Sequence, residues 1–300
     1  MEYVKKIVMT STNTIRRQLL QAVAGLGLFG LLISTGGCEV KVGNLKAEAV
    51  FSDASIAALA RAAARGDVSE VNRLIESGVP VDGLGKENWT PLYWAMLANS
   101  PSGMEALLKH KANPNHRIQD PQSLGGGFPI VLMLARVDRA PLLELLLKYG
   151  ANPNTRYPVR VDRKPLFPYE GDSLLIDAAI ENQLDNVKVL VKYGADVNLR
   201  PQAGNVATEE AAGLGRFEIA EYLLQHGATM HLDTVAHALQ NRAWDPRAHP
   251  QRIKLLEMLH ARGGKIYFNP DNPDTPAHLL SPGTYKYQPY KGETPVQISQ

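Results

Sequence analysis

The sequence contains few of the residue patterns that enzyme active sites need. Its eight histidines are scattered, without a His-Glu-x-x-His motif and without a pair at helical metal-ligand spacing. No Gly-x-Ser-x-Gly motif occurs, and the glycine run at 125–127 lacks the lysine of a phosphate-binding loop. Cysteine is limited to Cys38. We therefore expect a protein that is not an enzyme, with no catalytic residue, metal site or cofactor.

An excess of charge of either sign is also lacking. The chain has 32 basic and 30 acidic residues, and 28 basic and 29 acidic residues remain without the segment before Cys38. Nonspecific binding of nucleic acid needs a basic face that neutralises phosphates. The charge balance therefore argues against a nucleic-acid partner.

The N-terminal segment 1–37 has the pattern of a cleavable export signal. Basic residues ending in Arg16-Arg17 precede an apolar run from Leu19 to Ile33. As a helix this run spans about 22 Å, less than the hydrocarbon core of about 30 Å. Small residues then lead to Cys38, and the whole arrangement resembles a bacterial lipoprotein signal. That resemblance implies acylation of Cys38 as the new N-terminus; an ordinary secretory signal followed by an incidental thiol is the alternative.

The export route and the target membrane follow from the residues around the same segment. Arg16-Arg17 followed by Leu19-Leu20 also resembles a twin-arginine signal, so general secretory and twin-arginine export both stay open. Glu39 after the cysteine favours the outer membrane over the inner one. We expect a periplasmic protein that is held on the membrane by its N-terminal lipid.

One sequence motif occurs in two similar copies and sets the pattern for the rest of the chain. Leu-Leu-Leu-Lys-Tyr-Gly-Ala-Asn-Pro-Asn occupies 145–154, and Val-Leu-Val-Lys-Tyr-Gly-Ala-Asp-Val-Asn occupies 189–198. Gly150 and Gly194 suit the left-handed residue that ends a helix, and Asp or Asn two residues later favours a turn. Diverged copies end near residues 82, 115 and 231, so five copies follow one another.

The units resemble ankyrin repeats, each made of two antiparallel helices and a hairpin loop. The family's opening motif Thr-Pro-Leu-His-x-Ala is matched by Thr90-Pro91-Leu92-Tyr93-Trp94-Ala95, and Phe128-Pro129 takes the same place in the third unit, where the capping hydroxyl is lost. The resemblance implies an all-α ankyrin-repeat solenoid of about five to six helix pairs over 55–265, with strand confined to hairpin tips. Residues 38–54 are predicted to form a polar tether, and 266–300 an extended tail rich in proline and tyrosine.

Individual residues inside the units carry further predictions. Lys111 replaces the closing glycine of the second unit, and Asn182 replaces the glycine between the helices of the fourth. Lys111 would cost roughly 1 kcal/mol if its position must be left-handed, and asparagine is the substitution for glycine that this conformation tolerates best. Tyr93 and Trp94 lie inside the opening motif and are predicted to be core residues.

Two connections between units are longer than the others. They take 13 residues from Asn115 to Phe128 and 19 from Asn154 to Ser173, against eight elsewhere. Long insertions in a repeat array cluster on one face, which is often the binding face. We predict that the longer loop contacts a partner, because arginine and tyrosine often anchor interfaces; a solvated hairpin that packs on its neighbour is the alternative. In the shorter loop, Arg117 is either a partner contact or a solvated side chain. The candidates in the longer loop are Arg156, Tyr157, Arg160, Arg163, Lys164, Phe167 and Tyr169.

The resemblance also implies a concave surface, lined by the residue before each opening motif and by the end of each first helix. Trp89 is either exposed on this surface or half-buried against the neighbouring hairpin. The matching positions in this chain are Trp89, Leu97, Arg136, Ile180, Glu181, Asn205 and Leu214.

Together these features predict a monomeric envelope lipoprotein that binds one protein partner. The architecture resembles bacterial ankyrin-repeat lipoproteins, some of which are immunity proteins against phospholipase toxins delivered by type VI secretion. That resemblance implies stoichiometric inhibition through the longer loop and an adjoining groove between Trp89 and Arg136. A housekeeping periplasmic scaffold that stabilises an envelope enzyme is the alternative hypothesis. A toxin gene beside this one would favour the first hypothesis.

Overall fold

The computed structural model describes residues 42, 45–119, 127–157, 171–201, 205–240 and 249–264 of the 300-residue chain. The chain divides into two compact units, Met1–Leu166 and Phe167–Gln300. Helix pairs make up each of them.

The first unit contains three helix pairs within its described residues. The pairs are α2 with α3, α4 with α5, and α6 with α7, and the second helices α3, α5 and α7 pack in a row. In chain order the elements are α1 (Ala47–Val50), α2 (Ala54–Arg65), α3 (Val68–Glu76), a 3-10 turn (Lys86–Asn88), α4 (Pro91–Leu97), α5 (Pro101–Lys109), β1 (Arg117–Ile118), β2 (Phe128–Pro129), α6 (Leu132–Ala135) and α7 (Ala140–Lys148).

The second unit repeats this organisation. Its elements are α8 (Leu174–Ile180), α9 (Leu184–Lys192), α10 (Ala207–Gly213), α11 (Phe217–Gln225), α12 (Leu232–Gln240) and α13 (His249–His260). The first helices α8, α10 and α12 contact one another in series, and α9, α11 and α13 form the second row. The predicted all-α fold is confirmed, because β1 and β2 are the only strands longer than a single bridge among the described residues.

Side-chain oxygens start the helices where the opening motif predicts them. The hydroxyl of Thr90 accepts the N–H of Tyr93 across 3.2 Å, and Pro91 occupies the first helical position of α4. In the second unit the hydroxyl of Ser173 accepts the N–H of Ile176 across 3.4 Å at the start of α8. Each bond satisfies a backbone donor that the first turn of a helix leaves without an intrahelical partner.

Left-handed residues end or separate the helices as predicted. Gly150 and Gly194 have φ values of 96° and 86° after the second helices. Lys111 and Asn182 take φ values of 66° and 59° at positions where other units have glycine. The repeat period therefore imposes this conformation even on residues that carry a Cβ atom.

The first helix of the third pair begins later than the repeat pattern predicts. Phe128 and Pro129, the expected opening, form β2, and α6 begins only at Leu132. Val131 precedes the helix and has no side-chain oxygen to cap its first turn, as the missing hydroxyl predicted. With four residues, α6 is shorter than the seven-residue α4 beside it.

The segment before the first pair differs from the expected polar tether. Residues 47–50 form α1, and Val42, Leu45 and Phe51 are buried with it. Glu48 pairs with Arg61, which joins α1 to α2. These few apolar residues are too close together to show a helical period, yet they cover the open end of the first helix pair.

The core of the first unit is centred on the opening motif. Tyr93 and Trp94 are 1% and 0% exposed, so the predicted core positions are confirmed. The ring of Phe51 meets that of Trp94 edge to face, with centroids 6.0 Å apart. Phe51 thereby ties the segment before the repeats to the second helix pair.

One close approach between helices depends on a missing side chain. A Cβ atom added to Gly103 in α5 would overlap the carbonyl oxygen of Ala63 at the end of α2. The hydroxyl of Ser100 donates to the same oxygen across 2.7 Å. Glycine lets the two backbones approach, and the hydroxyl satisfies the carbonyl there.

Candidate partner-binding surface

The shorter inserted loop begins and ends as a two-stranded hairpin. Arg117 pairs with Pro129 and Ile118 with Phe128 in antiparallel register. The guanidinium of Arg117 donates from Nε and Nη2 to the carbonyl oxygen of Gly127, across 3.2 and 3.0 Å. The exposed Arg117 side chain therefore stabilises the hairpin, and its role in binding a partner remains a prediction.

An aromatic contact joins the bases of the two inserted loops. Phe128 ends the shorter loop, and Tyr157 lies near the start of the longer one. Their ring centroids are 5.6 Å apart, with the planes at 66°, an edge-to-face arrangement that contributes about 0.5–1.5 kcal/mol beyond the area buried. Both side chains and that of Arg156 are half-buried, so part of each stays accessible. One of the predicted partner-contact residues, Tyr157, thus contacts the hairpin, and Arg156 precedes it in the chain.

The hairpin is also fixed to the preceding unit. The Nε2 atom of His116 lies 2.6 Å from the carbonyl oxygen of Asn88, to which it donates, and the N–H of Gln119 donates to the carbonyl oxygen of Glu87 across 2.7 Å. Glu87 and Asn88 have φ values of 56° and 58°, in the left-handed region. Strained backbone of this kind persists only where its surroundings hold it. These hydrogen bonds therefore hold the hairpin in a fixed position on the first unit.

Trp89 lies in the interior, beyond either position expected for it. Its side chain is 2% exposed, and its ring meets that of Tyr93 edge to face, with centroids 4.8 Å apart. Leu45 and Val50 of the N-terminal segment lie beside it. A partner cannot contact so enclosed a ring, so the predicted groove between Trp89 and Arg136 does not include Trp89.

The other predicted concave-surface residues differ in exposure. Leu97 is 8% exposed at the end of α4, whereas Arg136 is half-buried at the end of α6. In the second unit, Ile180 and Glu181 are half-buried at the end of α8. Asn205 and Leu214, at the matching positions of the next repeat, are exposed, and Leu214 is 39% exposed.

A small apolar crevice lies in the first unit between the second and third helix pairs. Its walls are formed by Met96, Leu97, Met133, Leu134, Val137, Arg139 and Leu142. Tyr93 borders this region, because its hydroxyl lies 3.1 Å from the sulfur of Met133. Burial raises the pKa of the Tyr93 phenol, with a smaller contribution from the carboxylate of Glu87, so the hydroxyl stays protonated. Repetition in the sequence did not indicate this crevice.

Comparison with known proteins agrees with the stacked helix pairs. The family model for three consecutive ankyrin repeats matches residues 19–118 and 131–234, together more than half of the chain. The chain belongs to the ankyrin-repeat family. Repeats of this family bind other proteins, and protein binding is the general function of this chain.

Relatives from distant organisms share this ankyrin-repeat region. Cyclin-dependent kinase inhibitor 2A of Homo sapiens is 30% identical over 165 residues, which cover 55% of this chain and 74% of the relative. An ankyrin-repeat protein of Fowlpox virus is 28% identical over 169 residues, covering 54% of this chain and 45% of the relative. An ankyrin-repeat protein of Rickettsia felis is 30% identical over 136 residues, covering 45% and 40%. The match thus spans less than half of the viral and rickettsial relatives.

The Asn that closes the repeated motif, two residues after the turn-forming Asn or Asp, has a role that the sequence did not reveal. The predicted local turn is present, since the Oδ1 atoms of Asn152 and Asp196 accept the N–H groups two residues later, both across 2.9 Å. Asn198 also donates to the carbonyl oxygen of Gly227 across 2.9 Å, and its Oδ1 accepts the N–H of Thr229 across 2.8 Å. The side chain therefore binds the next repeat as well. Its recurrence in the repeated motif was the available signal.

Several predictions concern residues outside the described ranges. Among the described residues, no helix is long and apolar enough to cross a membrane, and no group of three His, Cys, Asp or Glu side chains could hold a metal ion. The lipidation and partner-contact roles assigned there stay predictions. They concern Cys38, Arg160, Arg163, Lys164, Phe167 and Tyr169.

Proposed function

We propose that this chain is a non-enzymatic, lipid-anchored envelope protein that binds one toxin protein and neutralises it. The proposed toxin is a phospholipase delivered between bacteria by type VI secretion. The observation that carries the proposal is the contact between Phe128 and Tyr157, because it brings the bases of both inserted loops into one surface. Two long insertions joined in this way enlarge the surface that one protein partner can contact.

Inhibition by this surface requires no chemistry from the chain. A rigid stack of repeats that covers the active site of an enzyme, or its route to the lipid, blocks it by occupancy alone. The human relative is named as an inhibitor of a kinase, which supports inhibition of an enzyme by an ankyrin-repeat chain. The apolar face of Tyr157 would supply buried area in the complex, and Arg156 beside it would supply charge.

The longer loop supplies basic side chains to the proposed interface. Besides Arg156, the loop contains Arg160, Arg163 and Lys164. Basic side chains accelerate encounter with an acidic protein surface, and this effect weakens as salt increases. We therefore expect the toxin to present acidic patches around an apolar contact, and the association rate to fall at higher ionic strength.

The lipid anchor would place this surface where a phospholipase acts. Acylation at Cys38 holds the mature chain at a membrane, and an enzyme that hydrolyses lipid must approach the same surface. The expected partner is therefore met at the membrane rather than in bulk solution. Localisation and inhibition are separate parts of the proposal, and each has its own test.

Charge reversal in the longer loop tests the proposed interface. Changing Arg160, Arg163 and Lys164 to Glu should weaken the complex with a neighbour-encoded toxin by at least about tenfold, or about 1.4 kcal/mol. Tyr157→Ala should weaken it as well, because it removes the ring that packs on Phe128. The measurements are the dissociation constant by calorimetry and protection in a growth competition against the toxin-producing strain.

A matched control carries the same charge change on the second helices. Arg73, Lys109 and Lys188 are exposed on α3, α5 and α9, and each pairs with an acidic residue on its own helix. Their reversal should leave binding unchanged, and thermal unfolding checks that the loss of these pairs leaves the domain folded. Equal losses in both triple variants would show a nonspecific charge effect, and full protection by the loop variant would place the interface elsewhere. Failure to bind any neighbour-encoded toxin would favour the periplasmic scaffold that stabilises an envelope enzyme.

A further inference from the structure

The crevice between the second and third repeats contains a cation without a counterpart. Arg139 lies directly before α7, in the turn that follows the short α6. The side chain is half-buried; its Nη1 atom is buried and makes no hydrogen bond, and within the described part of the chain its guanidinium has no ion pair. A buried donor without an acceptor is costly, and more so when it carries charge. An acceptor for Arg139 is the missing component of this site.

The rest of the crevice is apolar. Met96 and Leu97 come from α4, Met133 and Leu134 from α6, and Val137 from the turn before α7. None of these side chains is acidic or can accept a strong hydrogen bond. The side chains around Arg139 in the crevice therefore offer it no acceptor.

The shortness of α6 explains why the crevice exists here. Among the described first helices, α4, α8 and α10 have seven residues and α2 and α12 are longer, whereas α6 has four. The turn around Val137 and Arg139 follows this short helix and lines the crevice together with the buried end of α4. The hairpin Phe128–Pro129 takes the place of the missing first turn, so the crevice results from the same insertion that builds the proposed interface.

We propose that this crevice binds an acidic side chain that the partner protein presents between apolar residues. A carboxylate would give Arg139 a charge-assisted, bidentate acceptor, and its apolar neighbours would pack on the methionine and leucine side chains. Methionine is unbranched and flexible, so Met96 and Met133 can move to admit a group larger than water. This inference rests on the proposed function only in assuming that the partner is a protein.

Methyl resonances of methionine provide a direct readout at the crevice. The probe is the blocked tripeptide acetyl-Leu-Glu-Leu-amide, titrated into the mature protein labelled with ¹³C at its methionine methyl groups. The expected result is a saturable shift of the Met96 and Met133 resonances with millimolar affinity. The resonance of Met104, fully buried in α5, serves as the internal reference that stays in place.

Two matched controls separate charge recognition from apolar contact. The peptide acetyl-Leu-Gln-Leu-amide should bind at least about tenfold more weakly, as should the glutamate peptide to the Arg139→Gln variant, since each lacks one member of the ion pair. Arg139→Lys should keep part of the affinity, because lysine retains the charge but loses the bidentate geometry. Unchanged melting temperatures in both variants would show that the fold is intact.

The outcomes either support the carboxylate site or reject it. No methionine shift, equal shifts with the glutamine peptide, or equal shifts in Arg139→Gln would each overturn the proposal, and a bound water would then be the occupant. If Arg139→Gln is unstable, Arg139→Met provides a variant of similar length without the buried donor. Toxin capture that depends on the loop but not on Arg139 would leave the proposed function standing without this site.

Discussion

The side-chain amide of Asn115 donates to the carbonyl oxygen of Gly150 across 2.8 Å, joining the turn of one repeat to the helix end of the next. The Oδ1 atom of Asn115 also accepts the N–H of Asn152 across 2.9 Å. Asp82 makes the corresponding contact one repeat earlier, where both of its carboxylate oxygens lie 3.2 Å from the backbone nitrogen of Asn113. Short polar side chains thus connect successive turns along the first unit.

Removing one of these connections should weaken the stack. Asn115→Ala loses two hydrogen bonds between repeats and should lower the free energy of unfolding by about 1–2 kcal/mol, measured by urea denaturation. Asn115→Asp keeps the acceptor for Asn152 but loses the donor for Gly150, so its loss should be smaller. An Asn115→Ala variant as stable as the parent would show that solvent replaces both bonds at no cost.

The contact between Gly103 and Ala63 should tolerate no added methyl group. Gly103→Ala places a Cβ atom on the carbonyl oxygen of Ala63 and should destabilise the first unit by about 3 kcal/mol. Gly213→Ala is the matched control, because Gly213 is also helical and its added Cβ meets nothing within 4 Å. That control should be neutral or gain up to about 1 kcal/mol of stability from helix propensity. Equal effects of the two substitutions on thermal unfolding would contradict the close approach.

Acid should remove one contribution to the stability of the second-helix row. The Lys148 ammonium, which donates to Glu105 across 3.4 Å, together with the charge of Lys109 holds the pKa of the Glu105 carboxyl below its ordinary value of 4.5. A lowered folded-state pKa stabilises the fold above about pH 4.5, and this contribution is lost as pH falls through the lowered pKa. The parent should therefore be more stable than Glu105→Gln at neutral pH, and the difference should shrink on acidification. Glu218→Gln, on the exposed side of α11, controls for the general loss of a negative charge.

Replacement of the lone cysteine tests the membrane anchor. Cys38→Ser should give a soluble or unprocessed protein, because serine cannot carry the thioether-linked lipid. Membrane fractionation and radiolabelled palmitate incorporation measure the two consequences separately. A Cys38→Ser protein that remains with the membranes as the parent does would exclude the lipoprotein hypothesis.

The repeat period made most of the fold predictable. A recurring helix, turn and closing Asn constrain each copy through the others, so even Lys111 and Asn182 could be assigned left-handed φ values. The period failed where a copy departs from it. Phe128-Pro129 keeps the proline of the opening motif, but pairing with β1 draws both residues into a strand.

The surroundings of individual side chains were harder to predict. Trp89 occupies a position that faces outward in the family, yet Leu45 and Val50 lie against it. Those residues belong to a segment without periodicity, so no sequence pattern indicated that they would fold back on the repeats. The crevice at Arg139 depends likewise on where α6 begins, which only the three-dimensional contacts of the hairpin decide.

The burial of Val42 limits how far the folded part could extend from a lipid on Cys38. Val42 is 3% exposed and lies only four positions after Cys38, so if Cys38 carries the proposed lipid, the folded part would begin within about 14 Å of it even with the chain fully extended. On a membrane, so short a linker would keep the folded domain next to the bilayer surface. A captured toxin would then be held at the bilayer surface beside its substrate, and protection would depend on the orientation of the complex as well as on its affinity.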